Sequence, residues 1–281
     1  MTHGRRALWS GALIATPVFV GLIYAGLGAT DLVGAGSVPP SLARVSRVLG
    51  DREIWRGTLW SLWVATASTI GAVVLAVAVA TLFRGEARSD RVARALFTLP
   101  LPIPHLVAAI GALLVLGQSG YLARVLTATG VIAGSSAMPT FVADAWGTAA
   151  IATLIWKEAP FLALIATAVL ATQGRAYEEV ARTHGATPRQ TFRQVTWPLL
   201  WRGLAPGMVA VGTFAFGSYE TLVFLAPSNP LAYPLLTAER YVDPDLNRRN
   251  DAFVMVLIGV ALAGLAVFAH ERLRARWAQM T

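Results

Sequence analysis

Six stretches of this chain are long and apolar enough to cross a lipid bilayer, and that pattern leaves few folds open. A helix needs about 20 apolar residues to span the hydrocarbon core. The stretches run roughly over Ala7–Leu27, Leu59–Phe83, Leu96–Leu116, Trp146–Ala171, Leu204–Leu225 and Phe253–His270. None shows the alternation of a membrane β-barrel strand, and helices are the other spanning structure that satisfies its own backbone in lipid. The expectation is an all-α membrane protein: six transmembrane helices forming a single domain over residues 1–281, with a polar helix–turn–helix loop over about 172–202 between the fourth and fifth. That loop is the longest polar interval, at about 30 residues, and is too short for a self-standing soluble core.

Composition agrees. Hydrophobic residues make up 56% of the chain and charged residues 14%, against about 25% charged in a soluble globular domain, which excludes an ordinary soluble enzyme. The net charge is +8, from 22 arginines and a single lysine set against 15 acids. The arginines sit in short clusters between apolar runs, as in a protein facing anionic headgroups rather than nucleic acid. Cysteine is absent, so thiolate metal sites and disulfides are excluded.

The first stretch has a rival reading as a signal peptide, with Arg5 and Arg6 as its basic flank. Its apolar run of about 20 residues exceeds the 7–15 of such segments, and an uncleaved helix is the expectation. With the N-terminus inside, the inner segments carry fourteen arginines and the outer ones eight. The positive-inside bias therefore puts both termini in the cytoplasm.

The loop between the fourth and fifth stretches reads AYEEVARTHGATPRQTFRQVTWPLL, from Ala176 to Leu200. Glu178 and Glu179 stand near a helix start, where acids suit the dipole. Tyr177, Ala181 and His184 share a face. Gly185 suits the left-handed residue after a helix. Thr187 as N-cap, Pro188 at the first position and Gln190 at the third make a capping box. Pro198 is expected to break or kink the second helix before the next span. Capping chemistry alone leaves open whether this is a docking element or an amphipathic hairpin lying on the membrane surface.

The segment resembles the cytoplasmic loop motif of ABC importer permeases, E-A-A-x3-G-x9-I-x-L-P. Glu179, Val180 and Ala181 stand at the E-A-A positions, Gly185 at the Gly, Val195 at the Ile, Trp197 at the Leu and Pro198 at the Pro. The departures exchange apolar for apolar residues. The resemblance implies a coupling loop made of Glu178, Glu179, Val180, Ala181, Gly185, Ala186, Val195 and Pro198. It implies an assembly in a bacterial inner membrane, with an ABC ATPase subunit in two copies, a second permease that is a homologous but different chain, and an extracytoplasmic substrate-binding protein. ATP hydrolysis would belong to the ATPase subunit. Arg182, Arg189 and Arg193 either pair with acids on that partner or anchor on anionic lipid.

No phosphate-binding G-x-x-x-x-G-K-[ST] loop and no intramembrane protease motif is present, so no catalytic residue is expected. His3, His105, His184 and His270 lack metal-ligand spacing, and neither metal nor cofactor is expected. Charges within spans are costly and mark functional candidates. Lys157 and Glu158, just before Pro160, either line a translocation pathway or form a structural polar pair at a proline kink. Glu220 is either a pathway acid or an interfacial one.

Phe214–Leu236 resembles the branch of these permeases that handles polyamines, ferric iron, thiamine and aminoethylphosphonate. With Glu158 and Glu220 as negative points, a polyamine-like cation is the substrate expectation. The rival class is a stand-alone secondary transporter or channel, which would show charges on several spans and two matched halves with interrupted helices.

Overall fold

A computed structural model of the chain describes residues 2–33, 41–85 and 87–278. The helices are α1 (Thr2–Ala29), α2 (Ala43–Gly50), α3 (Arg52–Leu82), α4 (Arg88–Phe97), α5 (His105–Leu116), α6 (Tyr121–Ala128), α7 (Thr148–Val169), α8 (Arg175–Thr183), α9 (Pro188–Thr191), α10 (Trp197–Phe216), α11 (Tyr219–Leu225), α12 (Tyr233–Val242) and α13 (Leu246–Ala278). No strand occurs among the described residues. Among the described residues six segments are long and apolar enough to span: Gly11–Ala29, Arg52–Leu82, His105–Ala128, Thr148–Gly174, Pro188–Phe216 and Leu246–Arg276.

The centre of the bundle is the pair α3 and α7. Their facing stripes are small: Ala65, Ser68, Ala72 and Ala76 on α3, and Ala149, Ala159, Ala163 and Ala166 on α7, all buried. With lipid on the outside there is no hydrophobic drive between helices, and small residues let backbones approach closely enough for dispersion to hold them. Gly71 shows how close: a Cβ there would stand 2.3 Å from Ile155 Cδ1. Leu200, Leu204 and Val211 of α10 close this layer. Large apolar side chains such as Leu59, Ile70, Val74, Leu82 and Leu164 point outward, as a lipid-facing surface requires. Buried threonines donate to the carbonyl four residues back, Thr69 to Ala65 and Thr153 to Ala149, each at 2.7 Å, so their hydroxyls need no partner across the interface.

The stretch Leu96–Leu116, expected as one helix, is not one. Pro100, Pro102 and Pro104 remove three backbone donors and push the residues before them out of helical conformation. The amphipathic α4 therefore ends at Phe97, and α5 starts afresh at His105. The chain then breaks again at Gly117–Gly120 before α6. The stretch expected over Leu204–Leu225 also divides: α10 begins earlier, at Trp197, ends at Phe216, and is followed by α11.

At the end of the bundle away from the 175–196 hairpin, α1 and α13 pack together. Tyr24 meets Phe253 edge-on at 5.4 Å, and Ala25, Ala29, Val48, Ile54, Phe253 and Met255 form one apolar cluster. Beside it lies a buried polar group. Arg44 Nη2 is 2.6 Å from Asp31 Oδ1 and its Nη1 2.7 Å from Asp251 Oδ1. Arg44 also donates to the Asn247 carbonyl, and Asn250 Nδ2 donates to Asp31 at 3.2 Å.

Candidate functional site

The hairpin closes by the local chemistry its sequence encodes. At the end of α8 the Gly185 amide donates to the Arg182 carbonyl at 2.9 Å and the Ala186 amide to the Ala181 carbonyl at 3.0 Å. This double bond pattern of a helix C-terminus requires a left-handed residue, and Gly185 has φ +80°. Two residues on, Thr187 caps α9: its amide donates to Gln190 Oε1 at 2.9 Å, and its hydroxyl accepts from the Gln190 amide at 3.4 Å.

Pro198 does not break the second helix. Phe192–Thr196 forms a π-helical turn that leads unbroken into α10, with Pro198 in its opening turn. The wider turn accommodates a residue without an amide donor. A second π-helical turn, Leu170–Gly174, joins α7 to α8.

The residues grouped by spacing separate by role. Glu179 is exposed, as is Val180. Tyr177, Val180, Ala181, His184, Val195 and Pro198 line a concavity of about 620 Å³ between the two arms, so apolar and aromatic side chains face outward where a partner surface could reach them. Trp197 stacks on Trp201 at 5.8 Å, which occupies its ring within α10. Glu178 points the other way. Its side chain is 8% exposed, and it binds Arg84 from the end of α3 and Thr196 from the Phe192–Thr196 turn. Burial raises its carboxyl pKa, but the hydrogen bonds from Thr196 and Arg84 and the Arg84 charge outweigh that and hold it below the usual carboxylate range. Sequence reading placed Glu178 at a helix start and missed this partner; the one signal available was an arginine directly after an apolar stretch.

Lys157 and Glu158 do not act as a pair. Lys157 is buried, and its ammonium donates to the Pro100 and Ile103 carbonyls at 2.7 and 2.5 Å. Those carbonyls lie in the proline-rich break, where the helix that would have bonded them is missing. Irregular backbone at membrane depth is tolerated only when buried in protein and supplied with partners; Lys157 supplies the Ile103 carbonyl and shares the Pro100 carbonyl with the Ile103 amide, 3.2 Å away. Glu158 turns about 100° away around α7, and its Oε1 lies 2.8 Å from Nε2 of His105, the first residue of α5. The His105 ring rests on Phe214 at 4.7 Å. Glu220 stands apart from both, exposed in the first turn of α11. The Ser218 hydroxyl donates to Thr221 at 3.0 Å in a buried setting, a packing role. Among the described residues no group of acids and histidines is placed to hold a metal ion.

Residues 72–277 match the family described as "Binding-protein-dependent transport system inner membrane component". The chain is 32% identical over 214 residues to the Molybdenum transport system permease protein ModB of Mycobacterium tuberculosis, covering 74% of this chain and 75% of that one. It is 29% identical over 191 residues to the Thiamine transport system permease protein ThiP of Brucella suis, covering 67% of this chain and 34% of that longer one. The fold superposes with a TM-score of 0.70 on a chain of a bacterial ABC transporter involved in the import of the acidic polysaccharide alginate, at 16% identity and over 97% of this chain and 96% of that one.

Proposed function

Since the chain belongs to the binding-protein-dependent transport system inner membrane components, and is thus an ABC importer permease subunit of the inner membrane, we propose that it forms half of a translocation pathway whose motion is driven through the 175–196 hairpin. The other half is a second, homologous permease chain. Two copies of a separate ATPase subunit bind and hydrolyse ATP, and an extracytoplasmic binding protein delivers the solute. Both termini and the hairpin face the cytoplasm, which the arginine distribution supports.

The observation that carries this reading is the closed hairpin itself. Two short helices are joined by a turn that glycine and a capping box hold rigid, and α8 with the Phe192–Thr196 turn and the start of α10 lines a mainly apolar concavity of about 620 Å³, with Glu179 exposed nearby. A rigid protrusion of this kind transmits displacement, whereas a slack loop absorbs it. When two ATPase subunits close on ATP, the hairpins seated on them are drawn together and the attached spans tilt. Affinity purification of the tagged chain from its native membrane tests this. An ATPase subunit should be retained, and hydrolysis should rise on adding loaded binding protein. A chain that comes out alone, or hydrolysis indifferent to binding protein, would count against it.

For the cargo, the reading that now stands best is a small oxyanion. The expected cation route had two negative points, and the inner one, Glu158, is engaged by His105. The 32% identical relative is named for molybdenum transport, an element that dissolves in neutral aerobic water as the tetrahedral molybdate anion. A polyamine-like cation is the second reading, favoured by Glu220, which is exposed at the start of α11 and makes no ion pair among the described residues. Competition for uptake decides: excess molybdate or sulfate should suppress transport on the first reading, and spermidine on the second.

A further inference from the structure

The hairpin joins the bundle through two places where the α-helical hydrogen-bond ladder is interrupted. Leu170–Gly174 at its start and Phe192–Thr196 at its end are both π-helical, single-turn departures from the α-helix of the kind that recur at functional sites. With these joints alone, a push on the hairpin would reach the bundle only across interrupted ladders. A third connection bypasses both. Arg84 lies two residues beyond α3, and its Nη1 donates to Glu178 Oε1 at 2.9 Å and Oε2 at 2.7 Å. The Thr196 hydroxyl donates to the same Oε1 at 2.5 Å. One carboxylate therefore gathers α8, the Phe192–Thr196 turn and the end of α3.

Static stability does not account for this arrangement. Pairing charges where one partner is buried costs desolvation that the attraction barely repays, and Arg84 Nε is buried without a hydrogen-bond partner among the described residues. Position accounts for it better. α3 is the helix on which both α7 and α10 are packed through small residues, so a displacement delivered to its end reaches the whole central layer. On the reading of the hairpin as the ATPase-docking element, we propose that the Arg84–Glu178 pair is a mechanical tie that passes hairpin displacement past the π turns into α3, with Arg84 as a positioning residue acting through Glu178.

The test uses the whole importer, purified with its own ATPase and binding protein and reconstituted in liposomes. Arg84→Gln removes the charge and shortens the reach. It should leave ATPase retention and ATP hydrolysis within about twofold of wild type while solute moved per ATP falls about tenfold, a mid-range value for coupling between sites. Arg84→Lys, which restores a point charge, should recover much of the loss. In this cysteine-free chain, Arg84→Cys with Glu178→Cys should be uncoupled until a short bismaleimide joins the two thiols, and coupled afterwards. Unchanged transport per ATP in Arg84→Gln would overturn the tie. So would a parallel fall in transport, hydrolysis and ATPase retention, which marks a residue that merely holds the fold, or a cross-link that restores nothing. The docking reading fails separately, through equal ATPase retention in wild type and Gly185→Val.

Discussion

Lys157 and Glu158 are neighbours in the sequence, yet each is fixed to a different part of the chain around the third span: the ammonium to the Pro100 and Ile103 carbonyls in the break before it, the carboxylate to His105 at its start. Together they anchor a spanning segment that prolines have interrupted. A charged pair inside a membrane helix is commonly a pathway or relay signal. Here one member is bound to main-chain oxygens, and its charge is satisfied by structure.

Lys157→Met should therefore damage folding before it damages transport. The substitution keeps length and burial but takes the ammonium from the Ile103 carbonyl and leaves the Pro100 carbonyl only the Ile103 amide, and an unsatisfied buried acceptor costs about 1–3 kcal/mol. Thermal unfolding of the purified chain in detergent should shift down by several degrees. An unchanged melting temperature with lost transport would return Lys157 to the pathway.

Gly185→Val is expected to insert normally and to lose its ATPase partner. Nothing lies within 4 Å of where a Cβ would sit, so the cost is conformational: φ is +80°, and a β-branched residue there is a genuine outlier. Gly185→Asn should be far milder, because asparagine tolerates the left-handed region. Co-purification of the ATPase subunit should fall about tenfold in the valine variant and little in the asparagine one. Equal retention in both would remove the turn from the mechanism.

The hairpin clamp should be indifferent to pH across the physiological range and fail only in acid. The Glu178 pKa is depressed in the folded chain, so its contribution is fully present above the ordinary value of 4.5 and is lost as pH falls through the lower folded value. Hydrogen exchange at 175–196 should be the same at pH 8 and pH 6 once corrected for intrinsic rates, and should accelerate only as pH falls below 4.5. Glu178→Gln should raise exchange at every pH and abolish the acid step.

Orientation can be read with single cysteines in the cysteine-free background. Ser228, exposed after α11, should react in intact cells with an impermeant thiol reagent, and Ser89, exposed on α4, should react only after permeabilisation. Reversed labelling would invert the topology and place the hairpin outside.

Glu220→Gln separates the two cargo readings at a single position. With an oxyanion as cargo, removing the exposed carboxylate leaves uptake unchanged or raises it, since a like charge at the mouth is lost. With a cation, uptake falls several-fold while the ATPase remains bound.

What the sequence disclosed and what it hid follow one division. The spans were legible because lipid demands long apolar runs regardless of what they pack against. The hairpin turn was legible because Gly185, Thr187 and Gln190 act on their own neighbours. Arg84 with Glu178, 94 positions apart, and Arg44 with Asp251, 207 apart, were hidden: Arg44 has nothing local to mark it, and the place of Arg84 just after an apolar stretch does not say which acid it meets. The break at Pro100–Pro104 was hidden for a different reason. Hydropathy scores leucine and proline side chains and takes no account of missing amide donors, so a stretch that reads as one apolar run contains a non-helical segment held by its own turn hydrogen bonds and by Lys157.

The Arg44 cluster sets an order of events on the growing chain. Asp31 lies 13 positions before Arg44 and can engage it as soon as both have emerged; Asp251 is made only when the last span begins. Until then the guanidinium holds Asp31 alone, one of the two carboxylates that share it in the finished fold. The first span is thus not fully seated until the sixth arrives. A chain truncated ahead of α13 carries an open cluster at the far end of its bundle, and that defect distinguishes an unfinished molecule from a finished one for any quality-control protease that samples loosely held helices.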